Sequence, residues 1–85
     1  MQLPPEQQAL VEPYNGWVRQ RVKELRLATG FSQKQIGEKM QVGHTRVNDL
    51  ETGGTQKNIQ FGTIVRFCRA NGTSLKKFFS TCPEF

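Results

Sequence analysis

Polar side chains cluster near the middle of the chain, and their types suit recognition of another molecule better than covalent chemistry. The cluster consists of His44, Thr45, Arg46, Asn48 and Asp49. Imidazole, hydroxyl, guanidinium, amide and carboxylate groups supply the donors and acceptors that match the exposed edges of DNA bases. The first question is therefore which elements hold these side chains on one surface.

The rest of the chain offers little for catalysis or metal binding. It contains one His, no candidate Cys–His or paired-carboxylate arrangement and no glycine-rich phosphate loop, so we predict that it is not an enzyme. Its two cysteines, Cys68 and Cys82, form no CxxC pair, which leaves no ligand set for zinc. We expect no metal and no cofactor.

An interrupted helical pattern carries the polar cluster. Ile36 and Met40 are four residues apart, and after a break at 41–43 the pattern resumes with Val47 and Leu50, three residues apart. Such a break lets a third helix cross the second steeply, so that both bury one shared core. The opposite face of the third helix stays free, and a free polar helix fits the major groove of B-DNA, which is about 12 Å wide.

The remaining pattern predicts an all-α protein of about five short helices, because no stretch alternates as a strand does. The predicted helices cover about 17–29, 33–40, 44–52, 60–70 and a short segment after the N-cap Ser74. Outside the interrupted helix, the side chains expected to face the core are Trp17, Val18, Val22, Leu25, Phe61, Ile64, Phe67 and Cys68, with Ala28 as a further candidate. Pro13, Asn15 and Gly16 predict a break, which leaves 1–16 as an N-terminal extension, either unstructured or a short helix at about 5–12.

Charge is distributed unevenly along the 85 residues, whose net charge is +5. All twelve Lys and Arg lie from Arg19 onward, so twelve cations less five anions leave +7 from residue 17 to the end. A basic domain favours an acidic partner, with nucleic acid first and an anionic membrane second. The chain shows neither the pattern of a signal peptide nor that of a membrane helix, and two unpaired cysteines suit a reducing compartment. We expect a cytoplasmic, nucleoid-associated protein without a membrane partner.

Residues 33–52 resemble a helix-turn-helix, and the stretch "LRLATGFSQKQIGEKMQVGHTRVNDLETG" resembles the phage repressor/Cro family, often called Xre. The family pattern has apolar residues at the positions of Ile36, Met40, Val42, Val47 and Leu50 and a small residue at that of Gly37. All of these match. The resemblance covers about residues 17–80 and implies a small lambda-repressor-like domain, which leaves 81–85 as a C-terminal tail. Four features depart from the pattern. Gln41 replaces the usual left-handed Gly, and Gly43 replaces the usual Ser or Thr cap. Two or three extra residues lie between Gly53 and the fourth helix, and Asn71 replaces a usually apolar residue.

The resemblance also implies roles for individual residues. The helix at about 44–52 would read bases with His44, Thr45, Arg46, Asn48 and Asp49. The DNA backbone would be contacted by Gln33, Lys34, Gly43, Lys57 and Asn58. Arg26 and Glu51 would form a structural ion pair.

Several of these roles have alternatives. Arg46 could read guanine or clamp a phosphate, and its place in the motif favours the phosphate. Asp49 could accept a hydrogen bond from cytosine, orient Arg46, or merely keep the helix soluble. Lys34 and Lys57 could be plain solvated charges.

The C-terminal aromatic residues suggest a dimer interface. Phe78 and Phe79 either complete the monomer core, or one of them, together with Phe85, forms a patch around a two-fold axis. The resemblance implies a homodimer on a palindromic operator, with two third helices about 34 Å apart on one face of the duplex.

The sequence therefore predicts a homodimeric transcriptional regulator that binds specific double-stranded DNA, with repression as the favoured action. One alternative is an antitoxin or other interaction module of the same fold, whose main partner is a protein such as a toxin. Another is a non-specific nucleoid or RNA-binding protein, which would show only a salt dependence.

Overall fold

The computed structural model describes residues 3–53 and 58–85. These residues form five α-helices and no strand, so the predicted all-α fold is confirmed. The helices are α1 (Pro5–Thr29), α2 (Gln33–Met40), α3 (His44–Thr52), α4 (Phe61–Asn71) and α5 (Leu75–Phe78). Helices α2 and α3 pack on each other as the interrupted pattern predicts, with α1 and α4 closing the core around them.

Helix α1 runs without interruption through Pro13 and Gly16, so the predicted break at this point is wrong. A proline inside a helix costs about 3 kcal/mol, and distant contacts must offset that cost. Asn15 is buried; its Nδ2 donates to Asn58 Oδ1 at 2.9 Å, and its Oδ1 accepts from the backbone N of Ile59 at 3.2 Å. The first half of α1 is thus held by the segment that leads into α4.

One further residue completes this contact. The side-chain amides of Gln8 and Asn58 bond each other in both directions, at 3.0 and 3.1 Å. We call Gln8, Asn15 and Asn58 the amide clasp. It explains why residues 5–16 fold onto the domain even though their own sequence predicts a weak element.

The core is apolar and is drawn from all five helices. Its fully buried side chains with the largest volumes are Phe67, Phe78, Ile36, Val22 and Val47. Two predicted core residues are exposed instead. Ala28 lies about a quarter turn around α1 from the buried stripe of that helix, and Phe61, 63 % exposed, lies about 70° from the stripe on α4.

Asn71 is buried and polar, and its side chain is paired within the protein. Asn71 accepts from the Thr29 hydroxyl at 3.0 Å and donates to the Leu25 carbonyl at 3.4 Å, which ties the ends of α1 and α4 together. Cys68 and Cys82 are both free thiols, and burial raises the pKa of the Cys68 thiol. Cys68 therefore behaves as a small apolar core residue.

Phe78 is fully buried, which corrects its assignment as a candidate dimer contact. Its ring makes edge contacts with Trp17, Phe67 and Phe79, at centroid distances of 6.0, 6.1 and 4.9 Å. Phe78 ends the short helix α5, which Ser74 caps by accepting from the backbone N of Lys77. Phe79 is half-buried and Phe85 is 61 % exposed, so both remain available to a partner.

Candidate nucleic-acid interface

A tight turn joins α2 to α3. A Cβ added at Gly37 would lie 3.0 Å from the carbonyl oxygen of Val42, so a larger residue here would require the turn to move by a few tenths of an ångström. Gln41 ends α2 in the left-handed conformation (φ 60°, ψ 41°), which is the strained position predicted from the sequence. Gly43 then starts α3 from an extended conformation without a side-chain cap.

Helix α3 buries one side and presents the other to solvent. Val47, Leu50 and Glu51 are buried. The solvent side carries His44, Thr45, Arg46, Asn48 and Thr52, all exposed, with Asp49 half-buried among them. At about 100° per residue, Thr45, Asp49 and Thr52 lie opposite the core, whereas Arg46 lies toward one edge.

Most side chains on this outer face form no hydrogen bond within the described part of the protein. Within the described residues, the side chains of His44, Thr45, Arg46 and Asp49 form no hydrogen bond with another group. In particular, Asp49 does not bond Arg46, so orientation of that arginine is not its role in the free protein. An exposed helix with unpaired donors and acceptors can form its hydrogen bonds with an external partner.

The inner side of α3 is held by an ion pair. Arg26 Nε lies 2.5 Å from Glu51 Oε2, and Arg26 Nη2 lies 3.1 Å from Glu51 Oε1. The two side chains are 9 % and 1 % exposed. Arg26 also donates to the carbonyl of Phe31 at 2.8 Å, so one guanidinium joins α1, the α1–α2 turn and α3.

A second arginine, missed in the sequence, supports the same helix. Arg19 Nη1 donates to the carbonyls of Asp49 and Leu50, each at 3.1 Å, in the last turn of α3. A cation at this end complements the partial negative charge of the helix terminus. Arg19 precedes Arg26 by seven residues and so shares its face of α1, which was the signal available in the sequence.

Gln33 connects the start of α2 to the exposed side of α3. Its Nε2 lies 3.2 Å from both Asn48 Oδ1 and Glu51 Oε1. Ser32 begins α2 with a capping box, in which the backbone N of Gln35 donates to Ser32 Oγ and Gln35 Oε1 accepts from the backbone N of Ser32. The N-terminus of α2 and the outer face of α3 therefore form one surface, and helix N-termini attract anions.

The other residues predicted to contact the DNA backbone lie at different places in the structure. Lys34 and Gly43 are exposed beside this surface. Lys57 lies outside the described residues. Asn58 belongs to the amide clasp, where both ends of its side-chain amide bond Gln8 and Asn15, and its phosphate contact stays a prediction.

A basic groove of about 330 Å³ lies between the end of α2 and α4. Three cations line it: Lys39, Arg66 and Arg69. Arg66 donates to the carbonyl of Met40 and thereby caps the C-terminus of α2. It also lines a smaller cavity with Arg46, so positive charge continues from the edge of α3 toward α4.

Among residues 3–53 and 58–85, no group of three or more His, Cys, Asp or Glu is placed to hold a metal ion. None of the helices in these ranges combines the length and apolar character needed to cross a bilayer.

Comparison with known proteins agrees with this geometry. Residues 17–76 match the family model described as a helix-turn-helix domain. No curated protein and no solved structure matches the chain. The family match indicates DNA binding in a regulatory role, and its residues include both α2 and α3.

Proposed function

The chain belongs to the helix-turn-helix domain family, and we propose that it is a sequence-specific regulator of transcription that reads double-stranded DNA with the outer face of α3. One observation carries the proposal: the side chains of His44, Thr45, Arg46 and Asp49 are exposed or half-exposed and make no internal hydrogen bonds among the described residues. Their inner neighbours Val47, Leu50 and Glu51 are buried, so α3 is fixed while its outer groups are free.

The proposed recognition divides into reading and positioning. Thr45 and Asp49, opposite the core, face the floor of the major groove, where Thr can bond either kind of base and Asp accepts from cytosine N4. His44 enters first, at the N-terminus of α3. Arg46, at the edge of the same face, pairs with a phosphate.

The start of α2 positions the domain on the duplex. Gln33 and the backbone N–H groups of its helix terminus bind one phosphate, with Lys34 beside them. The bond from Gln33 to Asn48 couples this phosphate contact to the reading helix. Asn48 therefore acts at the groove wall, and Gly43 allows close approach of the backbone at the start of α3.

We further propose a homodimer on an inverted-repeat operator in the nucleoid, with repression by occlusion of polymerase. A single α3 contacts only a few base pairs, and a pair of them doubles the sequence that is read. An interaction module such as an antitoxin is the competing proposal, and a stable hetero-complex with no preferred DNA site would favour it.

Selection of binding sites from a random duplex pool tests the function. The affinity of the selected duplex is then compared with that of a scrambled duplex over a range of salt concentrations. We expect an enriched inverted repeat with half-site centres about 10 bp apart, bound about 10³-fold or more tightly than the scrambled control. Equal binding of both duplexes, lost together as salt rises, would exclude a sequence reader.

A further inference from the structure

Exposed apolar side chains gather on one side of α1, away from α3. Leu10 is 66 % exposed, Tyr14 38 % and Phe85 61 %. Tyr14 and Phe85 contact edge to face at 4.9 Å, and the half-buried Trp17 stacks on Phe79 at 5.9 Å. Leu10, Tyr14 and Trp17 follow at spacings of four and three residues, so they share one face of the helix. We call Leu10, Tyr14, Trp17, Phe79 and Phe85 the aromatic patch.

Most of this patch is built from parts of the chain that the family match leaves out. The match begins at Trp17 and ends at residue 76, whereas Leu10 and Tyr14 precede it and Phe79 and Phe85 follow it. The two outer segments are bound to each other, because the backbone N of Phe85 donates to the Tyr14 hydroxyl at 3.2 Å. The amide clasp, in turn, fixes the start of α1 to the domain. The chain therefore adds a specific surface to the family domain.

Charge is arranged with opposite signs at the two ends of the patch. Glu6 lies one turn before Leu10, exposed in the first turn of α1. Arg21 lies one turn after Trp17 and donates to the carbonyls of Phe78 and Lys77, each at 2.9 Å, which brings the exposed Lys77 to the same end. The acidic and basic ends are about 22 Å apart along α1, at about 1.5 Å per residue.

We propose that the aromatic patch binds a second copy of this chain in antiparallel orientation. A two-fold axis near Tyr14 exchanges the two ends of the patch, so Glu6 of each copy meets Lys77 and Arg21 of the other. The same rotation brings Leu10 of each copy onto Trp17 and Phe79 of the other. A surface with an apolar centre and opposite charges at its ends is complementary to itself, which is the requirement of a two-fold interface. Aromatic side chains are also the usual anchors of such interfaces.

This inference rests on the homodimer of the proposed function and identifies the surface that forms it. It leaves the outer face of α3 free in both copies. It also gives the exposed Phe85 and half-buried Phe79 a use that the fully buried Phe78 cannot have.

Sedimentation equilibrium of the full chain tests the patch, with a matched pair of leucines on α1. Leu27 is 58 % exposed, close to the value for Leu10, but lies outside the patch. We expect the wild-type chain to sediment at twice its 9.7 kDa mass. Leu10→Glu should weaken the dimer about 30-fold or more, while Leu27→Glu leaves it unchanged. A monomeric wild-type chain, or a dimer equally affected by both substitutions, would overturn the proposal.

Charge reversal tests the antiparallel arrangement separately. Glu6→Lys and Lys77→Glu should each weaken the dimer about threefold, and the double variant should recover the wild-type association. Both residues are exposed, so circular dichroism should show the same helix content in all variants. Additive weakening in the double variant would reject the pairing of these two ends.

Binding to a duplex with one half-site separates this inference from the proposed function. If both are correct, Leu10→Glu keeps the half-site affinity of the wild-type chain and loses the extra affinity for the inverted repeat. If no duplex is preferred by any variant, the DNA-reading proposal fails, and the sedimentation result still decides whether the patch forms a dimer.

Discussion

The guanidinium of Arg26 and the carboxylate of Glu51 make two parallel contacts, of 2.5 and 3.1 Å, between the end of α1 and the inner side of α3. Both side chains are almost completely buried. The ion pair that orients α3 is thus inside the protein, and removing either partner would leave the other charge buried and unpaired.

Glu51→Ala should therefore lower the free energy of unfolding by about 3–5 kcal/mol, because it leaves the Arg26 guanidinium buried and unpaired. Urea denaturation monitored by circular dichroism measures the change. The double variant Arg26→Met with Glu51→Leu is the control, and it should regain most of the stability because no buried charge remains. A loss of less than about 1 kcal/mol for Glu51→Ala would show that the pair is effectively solvated.

Asp49→Ala should change base preference more than it changes overall affinity. Removal of a carboxylate from a surface near phosphates favours binding to any duplex, while loss of an acceptor for cytosine N4 lowers discrimination at one position per half-site by about 10- to 100-fold. Affinities for the selected operator and its single-base variants measure both effects. Lys23→Ala, at an exposed position on α1, serves as the control and should leave the preference unchanged. Uniform weakening across all variants would exclude a reading role for Asp49.

Lys34→Ala and Gln33→Ala should separate charge from hydrogen bonding at the start of α2. Loss of the Lys34 charge should reduce the slope of log affinity against log salt by about 1, because one fewer counterion is released. Gln33→Ala should weaken binding without a change of slope, since its amide is neutral and also fixes Asn48. Titrations at four salt concentrations or more give the slopes. An unchanged slope for Lys34→Ala would identify it as a plain solvated charge.

Gly37→Ala and Gly16→Ala should have opposite effects on stability although both glycines are helical. At Gly37 an added Cβ meets the Val42 carbonyl at 3.0 Å and forces the turn open, with an expected loss of about 1–3 kcal/mol. At Gly16 an added Cβ has no atom within 4 Å, and alanine should stabilise the helix by about 0.5–1 kcal/mol. The unfolding temperatures of the two variants, compared with that of the wild-type chain, test both expectations. Destabilisation by Gly16→Ala would contradict an uninterrupted α1.

The helix-turn-helix itself could be predicted because its signals are local. Ser32 begins α2, the spacing of Ile36 and Met40 sets its inner side, and α3 resumes within three residues. The strained Gln41 could also be located, because the resemblance to the phage repressor/Cro family implies a left-handed residue at its position. Short-range physics decides the other features.

The path of α1 could not be predicted in the same way. Pro13 and Gly16 are local helix breakers, and the contacts that overcome them come from Asn58, more than forty positions away. Sequence patterns reflect residues that are close together in the chain, so they do not reveal a stabilising contact with a residue this far away. The family match also begins after this segment, so it offers no correction.

Arginines that bind backbone carbonyls were missed for a related reason. Arg19 and Arg66 donate to main-chain oxygens of α3 and α2. Every residue type has a backbone carbonyl, so such an acceptor cannot be identified from the sequence. Arg26 could be identified because the resemblance to the phage repressor/Cro family implies its pairing with Glu51.

Trp17 is the single tryptophan of the chain, and its position makes it a built-in fluorophore. Its indole stacks on Phe79 and touches the edge of Phe78, so unfolding moves it from a ring cluster into water and shifts its emission. It also borders the surface proposed for a second copy, whereas α3 carries neither Trp nor Tyr. Emission from the unlabelled protein therefore reports on the α1 side, and a change in it can be distinguished from binding at the surface of α3 proposed for DNA.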